Sequence, residues 1–227
     1  MADPVITAIF DDVAHIGEAT LSLTNAVLAD KGREPVRKIV QVTPQRIHPA
    51  TPLDGRSFRL DIEAVSGAGE VIHIEVQLQT FHRMTDRNLL YGLASLHGNA
   101  RRGDELSDVV KKMPRVIVID ILDFVLRPSP ANFHQLAGLL YLDGPVKWAS
   151  DRLEIHIIQL PLFKAMAPDF KNPLHCWLTA IARARGQGKS LKEVVEMDPV
   201  LKEFREADPG FAQFVDRYGI VASTPEM

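Results

Sequence analysis

Asp61 and Glu75, fourteen positions apart, are the residues whose types and spacing would do chemistry. Each lies on one arm of a hairpin pattern. The first arm, Ser57 to Val65, reads Ser-Phe-Arg-Leu-Asp-Ile-Glu-Ala-Val; the second, Val71 to Gln79, reads Val-Ile-His-Ile-Glu-Val-Gln-Leu-Gln. Ser66-Gly67-Ala68-Gly69-Glu70 between them has the composition of a turn. Both arms alternate. Phe58, Leu60, Ile62 and Ala64 share a face with Ile72, Ile74, Val76 and Leu78, while Arg59, Asp61 and Glu63 share the other with His73, Glu75 and Gln77. A register symmetric about Ala68 sets Asp61 opposite Glu75. Residues so placed have Cβ atoms about 5 Å apart, and like charges there repel. A divalent cation removes that repulsion, and two converging carboxylates suit Mg²⁺. The same alternation also describes an antiparallel pair with one face in water. In that reading Glu63 with His73 and Arg59 with Gln77 are ordinary cross-strand contacts. The residues alone leave both readings open.

The composition is that of a globular chain. With 227 residues, 46% hydrophobic and 24% charged, it is large enough for one sizeable core, or a core plus a small appendage. A net charge of -3 is not the basic balance of a dedicated non-specific DNA binder, though it permits a local basic groove. Cys176 is the single cysteine, which excludes an intramolecular disulfide and a cysteine-rich zinc site. Beside Trp177, it reads as a buried packing residue. The histidines show no metal-ligand spacing. Gly-x-Ser-x-Gly, a phosphate-cradling glycine loop and a dinucleotide fingerprint are all missing. No basic-then-apolar leader and no apolar run of membrane-span length are visible, so a cytoplasmic protein with no membrane partner is expected.

The elements that must position the acids follow from periodicity. Apolar residues from Ile6 to Leu28 have rough helical spacing, with Gly17 a candidate break and Gly32 a close. Val36 to Ile47 reads as a strand limited by Pro44. After the hairpin, Phe81 to Gly103 reads as a helix. Arg115 to Leu126 is nearly continuously apolar, as expected of a central strand buried on both faces. Leu153 to Leu160 is a further strand. Four helical stretches follow, Leu174–Ala184, Leu191–Glu196, Val200–Glu206 and Phe211–Tyr218, with Asp198-Pro199 and Asp208-Pro209 reading as cap plus first turn. About five core strands are expected.

Asp61 followed by Glu75-Val76-Gln77 resembles the PD-(D/E)XK nuclease signature, in which Asp and Glu on adjacent strands hold Mg²⁺. The surroundings strengthen it: Arg59-Leu-Asp-Ile, Ile72-His-Ile-Glu-Val-Gln, Arg87 with Tyr91, Val116-Ile-Val-Ile-Asp-Ile-Leu-Asp-Phe124 and Leu153-Glu-Ile-His156 occur in order. With Ile9-Phe10, Leu23-Thr-Asn-Ala-Val-Leu28 and Trp177, the chain resembles the transposase-like, recombination-promoting nucleases of that family over about Ala8 to Tyr218. The resemblance implies an α/β protein. Its restriction-endonuclease-like core, a mixed central sheet flanked by helices, would span residues 1–168, with a C-terminal helical extension over 169–227. It implies Mg²⁺ (or Mn²⁺) as cofactor, DNA as partner and hydrolysis of phosphodiester bonds by an endonuclease, with a homodimer open.

Residue by residue, Asp61 and Glu75 match the metal-binding catalytic acids, and Gln77 the signature's lysine position, where this family commonly has Gln. The Val76 carbonyl matches a further ligand. Glu18 is the first candidate for an auxiliary acid on the opening helix and Asp12 the second, with a solvated helix face the alternative for each. Arg87 and Tyr91, one helical turn apart, would face the same way. Arg87 would either grip a phosphate or pair with Glu75 or Glu63. Family members often carry a Glu-Leu-Pro-Lys-like stretch after the last core strand; here it is Gln159-Leu160-Pro161-Leu162, with Lys164 slightly later. That departure keeps a second reading open, a nuclease fold with a weak or inactive site acting as a DNA- or protein-binding module.

Overall fold

The computed structural model describes residues 16–44, 47–48, 58–59, 62–77, 80, 83–97, 103–127, 132–145, 147–184 and 191–222. Asp12, Asp61 and Leu78 lie outside the described residues.

Six strands form one mixed sheet. In chain order these are β1 (Ile39–Pro44), β4 (Ile62–Ser66), β5 (Val71–Gln77), β6 (Val116–Leu122), β7 (His134–Tyr141) and β8 (Lys147–Gln159). Two short strands, β2 (Ile47–His48) and β3 (Phe58–Arg59), pair separately as a ribbon. The order across the sheet is β1-β4-β5-β6-β8-β7. β1, β4 and β5 run antiparallel, β5, β6 and β8 run parallel, and β7 returns antiparallel on β8. Parallel neighbours require a crossover. The first helix, α1, is Ile16–Asp30, and the crossover between β5 and β6 contains the helix α2 (Met84–His97) and the short α3 (Leu106–Lys112).

The hairpin register agrees with symmetry about Ala68: Ile62, Glu63, Ala64 and Val65 face Ile74, His73, Ile72 and Val71. The turn closes through Ser66 N to Glu70 O at 2.9 Å and Gly69 N to Ser66 O at 3.0 Å. Gly69 has φ +83°, which a side chain would strain. The first arm is not one strand, however. Arg59 pairs with Ile47 of β2, so the expected Arg59–Gln77 pairing is replaced by a backbone partnership in the separate ribbon.

The two sheet faces are covered differently. On one, α1 places Ala19, Leu23, Ala26 and Val27 against Ile72, Ile74, Val76, Ile117, Ile119 and Ile121. The C-terminal helices α5 (Pro173–Ala184), α6 (Leu191–Met197), α7 (Pro199–Ala207) and α8 (Pro209–Ala222) join the same cluster through Trp177, Leu191, Leu201, Phe211 and Phe214. Asp198 accepts hydrogen bonds from Val200 N and Leu201 N, and Asp208 from Phe211 N, as expected of caps. A Cβ on Gly210 would lie 2.3 Å from the Glu18 carbonyl oxygen, so glycine there lets α8 cross α1 at close range. Cys176 is fully buried, and burial pushes its thiol up to about 11. α2 covers the other face, where Met84 meets Val118, Leu122, Ile155 and Ile157. Every residue of β6 is buried, as its apolar run requires.

β7 and the one-turn helix α4 (Leu160–Lys164) were not read from the sequence. No helix among the described residues is long and apolar enough to cross a membrane.

Candidate active site

The polar face of the hairpin is not wet. Glu63, His73, Glu75 and Gln77 are 4%, 0%, 1% and 6% exposed. The solvated-face reading therefore fails. β5 is an interior strand, and α2 lies over the face that alternation makes polar. A buried carboxylate must find partners or bind a cation, and α2 supplies partners along its inner edge. Arg87 forms an ion pair with Glu75 Oε2, and its guanidinium stands 5.1 Å from the centre of the Tyr91 ring. Arg87 and Tyr91 thus share a face, as their spacing requires. Of the roles open to Arg87 in the sequence, the geometry shows the pairing with Glu75. Gln77 Nε2 donates to the same Glu75 oxygen at 3.0 Å. The other oxygen, Oε1, is buried with no hydrogen-bond partner among the described residues. One oxygen of Glu75 is thereby fixed.

A second acid stands beside this one. Asp120 on β6 is the register partner of Glu75 on β5, and it is fully buried. Neighbours in register point to the same face of a sheet. Asp120 accepts a hydrogen bond from the amide of Asn88, itself fully buried and adjacent to Arg87 on α2. Successive residues of one helix thus reach successive strands at one row of the sheet. Further along β5, His73 lies 3.5 Å from Glu63 and 3.0 Å from the Ser95 hydroxyl of α2. Glu63 with His73 is the cross-strand pair expected. Asp120, Asn88 and Ser95 were missed. The signal for Asp120 was present: a lone acid inside an apolar strand buried on both faces must be partnered.

The remaining sequence candidates fall elsewhere. Glu18 is exposed on α1, across the sheet from Glu75, and accepts a hydrogen bond from Gln213 of α8 at 2.7 Å. Gln159, at the end of β8, accepts from Leu126 N at 2.7 Å and so ties the segment after β6 to the sheet. Lys164 reaches Asp123 at 3.4 Å. Among the described residues, no three His, Cys, Asp or Glu side chains gather as a metal site.

The α1 face carries a separate polar network. Arg33 grips Glu154 through two hydrogen bonds of 2.9 Å, and Arg115 adds a third at 2.9 Å. Burial works to raise the Glu154 carboxyl, but His156 at 3.6 Å and the hydrogen bonds from Arg33 and Arg115 outweigh it and hold the group well below the usual range. His134 Nδ1 donates to Asp30 at 2.7 Å, and His134 Nε2 lies 3.0 Å from His156 Nδ1. Burial lowers His134 to about 4 despite Asp30, and lowers His156 as well. This network binds β8 and β7 to the end of α1; it does not face Glu75.

The mixed six-stranded sheet flanked by helices, with its helical C-terminal region, is a restriction-endonuclease-like fold. The model of the PD-(D/E)XK nuclease family transposases matches residues 16–216, and the chain belongs to that family. No curated protein and no solved structure matches it. Membership carries a nuclease-type fold, and PD-(D/E)XK nucleases generally use divalent metal ions.

Proposed function

We propose that this protein is a Mg²⁺- or Mn²⁺-dependent DNA endonuclease of the transposase-like, recombination-promoting kind, acting in the cytoplasm. The observation that carries this reading is Glu75: a buried acid with Oε2 fixed by Arg87 and Gln77 and Oε1 without a hydrogen-bond partner among the described residues. A hard-cation ligand needs such an oxygen. Asp61, one residue before β4, is the second acid of this reading. Its match to the first acid of the family's signature supports that role. The Val76 carbonyl is a further ligand.

When bound, the cation supplies Lewis acidity toward a phosphoryl oxygen and makes a neighbouring water more acidic. Everything else falls to the chain. Arg87 holds Glu75 by Oε2 and so leaves Oε1 toward the ligand side. Gln77 is neutral and does not accept a proton from water. Its amide N–H orients Glu75, and its carbonyl oxygen can accept a hydrogen bond from the attacking water. The test is nicking of supercoiled plasmid with Mg²⁺ or Mn²⁺ by wild type and Asp61→Ala. Activity in the first and none in the second supports the reading. Folded protein inactive in both forms overturns it in favour of a DNA- or protein-binding module.

A further inference from the structure

We propose that β7 pairs edge to edge and antiparallel with the β7 strand of a second copy of this chain, so that two six-stranded sheets become one. β7 and β1 are the two edges of the sheet, and β7 is paired on one side, to β8. An edge strand offers its outer N–H and C=O groups to any other strand, and proteins blunt such edges with charges, proline or bulges. β1 carries these devices. Arg37 and Lys38 precede it, its register with β4 shifts between Ile39 and Gln41, and it ends in Pro44. β7 carries none of them. His134 to Leu142 contains no Lys, Arg, Asp, Glu or Pro, and where its pairing with β8 shifts register the extra residues belong to β8, between Ser150 and Glu154. Its outward residues are apolar instead: Leu139 and Tyr141 are 61% exposed and Leu142 is 89% exposed.

Charge and side-chain size select a second copy as the occupant. Across a two-fold a strand meets its own sequence, so a charge at the axis meets itself and like charges near it repel. A strand without charges pairs with itself freely. With the two-fold at Leu139, Leu140 lies opposite Gly138 of the second copy and Tyr141 opposite its Ala137, large against small in both directions. Leu142 falls opposite Leu136, and Asp143, the first charge beyond the ladder, opposite Gln135 rather than another acid. Directly opposed residues share a face of the sheet. On the Gly138 face the Trp148 ring already covers the glycine, where a Cβ would lie 2.1 Å from it. Leu140 of the second copy therefore meets bare glycine backbone and the rim of that ring.

The test is the mass of the full chain by sedimentation equilibrium over a range of concentrations, for wild type, Leu139→Lys and Leu139→Glu. Leu139 is exposed, so neither substitution enters the core, and circular dichroism checks the fold. Expected is a wild type that reaches twice 25.2 kDa. Each variant alone should associate at least about tenfold more weakly, because the two-fold sets lysine against lysine or glutamate against glutamate. Mixing the two variants should restore the dimer, since lysine then faces glutamate. In wild type, which needs no variant to fold, the amides of β7 should exchange hydrogen more slowly in the dimer than after dilution. A wild type that stays at 25.2 kDa or grows into open aggregates overturns the proposal. So does a dimer that both variants retain, or one in which β7 exchange does not change on dilution, because its interface lies elsewhere. Folded variants that stay monomeric when mixed overturn the two-fold at Leu139 and the pairing built on it.

Discussion

Arg87 of α2 and Glu75 of β5 form an ion pair whose cationic side chain is 17% exposed and whose carboxylate is 1% exposed. The pair ties the crossover helix to the strand that carries the candidate site. Removing one partner of a buried pair costs about 3–5 kcal/mol, because the other charge is left behind. The partial exposure of Arg87 puts Arg87→Met near the lower end, about 3 kcal/mol. Urea denaturation of the variant beside wild type checks this. Equal stability would show that the pair does not anchor α2.

Gln77 reaches Glu75 at 3.0 Å through its amide N–H. Groups that orient a metal-binding side chain typically matter by about 10- to 100-fold in metal affinity or activity. Gln77→Lys replaces a directed amide with a mobile ammonium, so a loss of that size in metal-dependent nicking is expected. Unchanged nicking would sink the amide role.

At the α1–α8 crossing, Gly210→Ala drives a methyl group into the backbone of Glu18, 2.3 Å away, and toward Ser22 Cβ at 2.7 Å. Backbone cannot step aside as a flexible side chain does. Overpacking of this kind costs about 1–3 kcal/mol, read as a lowered denaturation midpoint with the candidate site untouched. A midpoint equal to that of wild type would mean the helices separate at no cost.

Stability should fall on acidification well before the carboxylates titrate. An imidazole lowered from 6.5 to about 4 by burial charges in the unfolded chain first. Its effect is absent above the ordinary histidine range and grows as pH falls toward the folded value. At its full size it is about 3 kcal/mol. His156 shifts the same way and adds to it. Asp30 and Glu154 are held low, so their contributions are present above the ordinary carboxylate value and are lost only below it. Unfolding free energies between about pH 7.5 and about pH 4 are expected to slope downward in wild type and less steeply in His134→Gln. Parallel curves would remove His134 as the cause.

The sequence disclosed what period and composition can disclose. The Arg115–Leu126 run announced a strand buried on both faces, observed over Val116–Leu122, and the hairpin register followed from its turn. It could not disclose what covers a polar face. Alternation in β5 is the same whether water or a helix lies above it, and only the path of α2 decides. Asn88 was invisible for that reason, since nothing in its spacing tells which strand it meets. β7 escaped because it is an edge strand whose residues are only partly buried, which weakens alternation. Glu18 and Arg87 had comparable standing as auxiliary candidates. The fold separates them by placing α1 and α2 on opposite faces of the sheet.

The Ser22 hydroxyl bonds Asp208, 186 residues away, and Trp177 in turn donates to Ser22. During synthesis at about 5–20 residues per second, roughly 10–40 s pass between the appearance of one partner and the other. For that interval the crossing of the opening helix by the last one is unmade, however early the strands pair. Until then the side of the opening helix at Glu18 and Ser22, where Gly210 crosses it, waits for its partner. The contact between Ser22 and Asp208 thus forms late, whatever the order in which the sheet assembles.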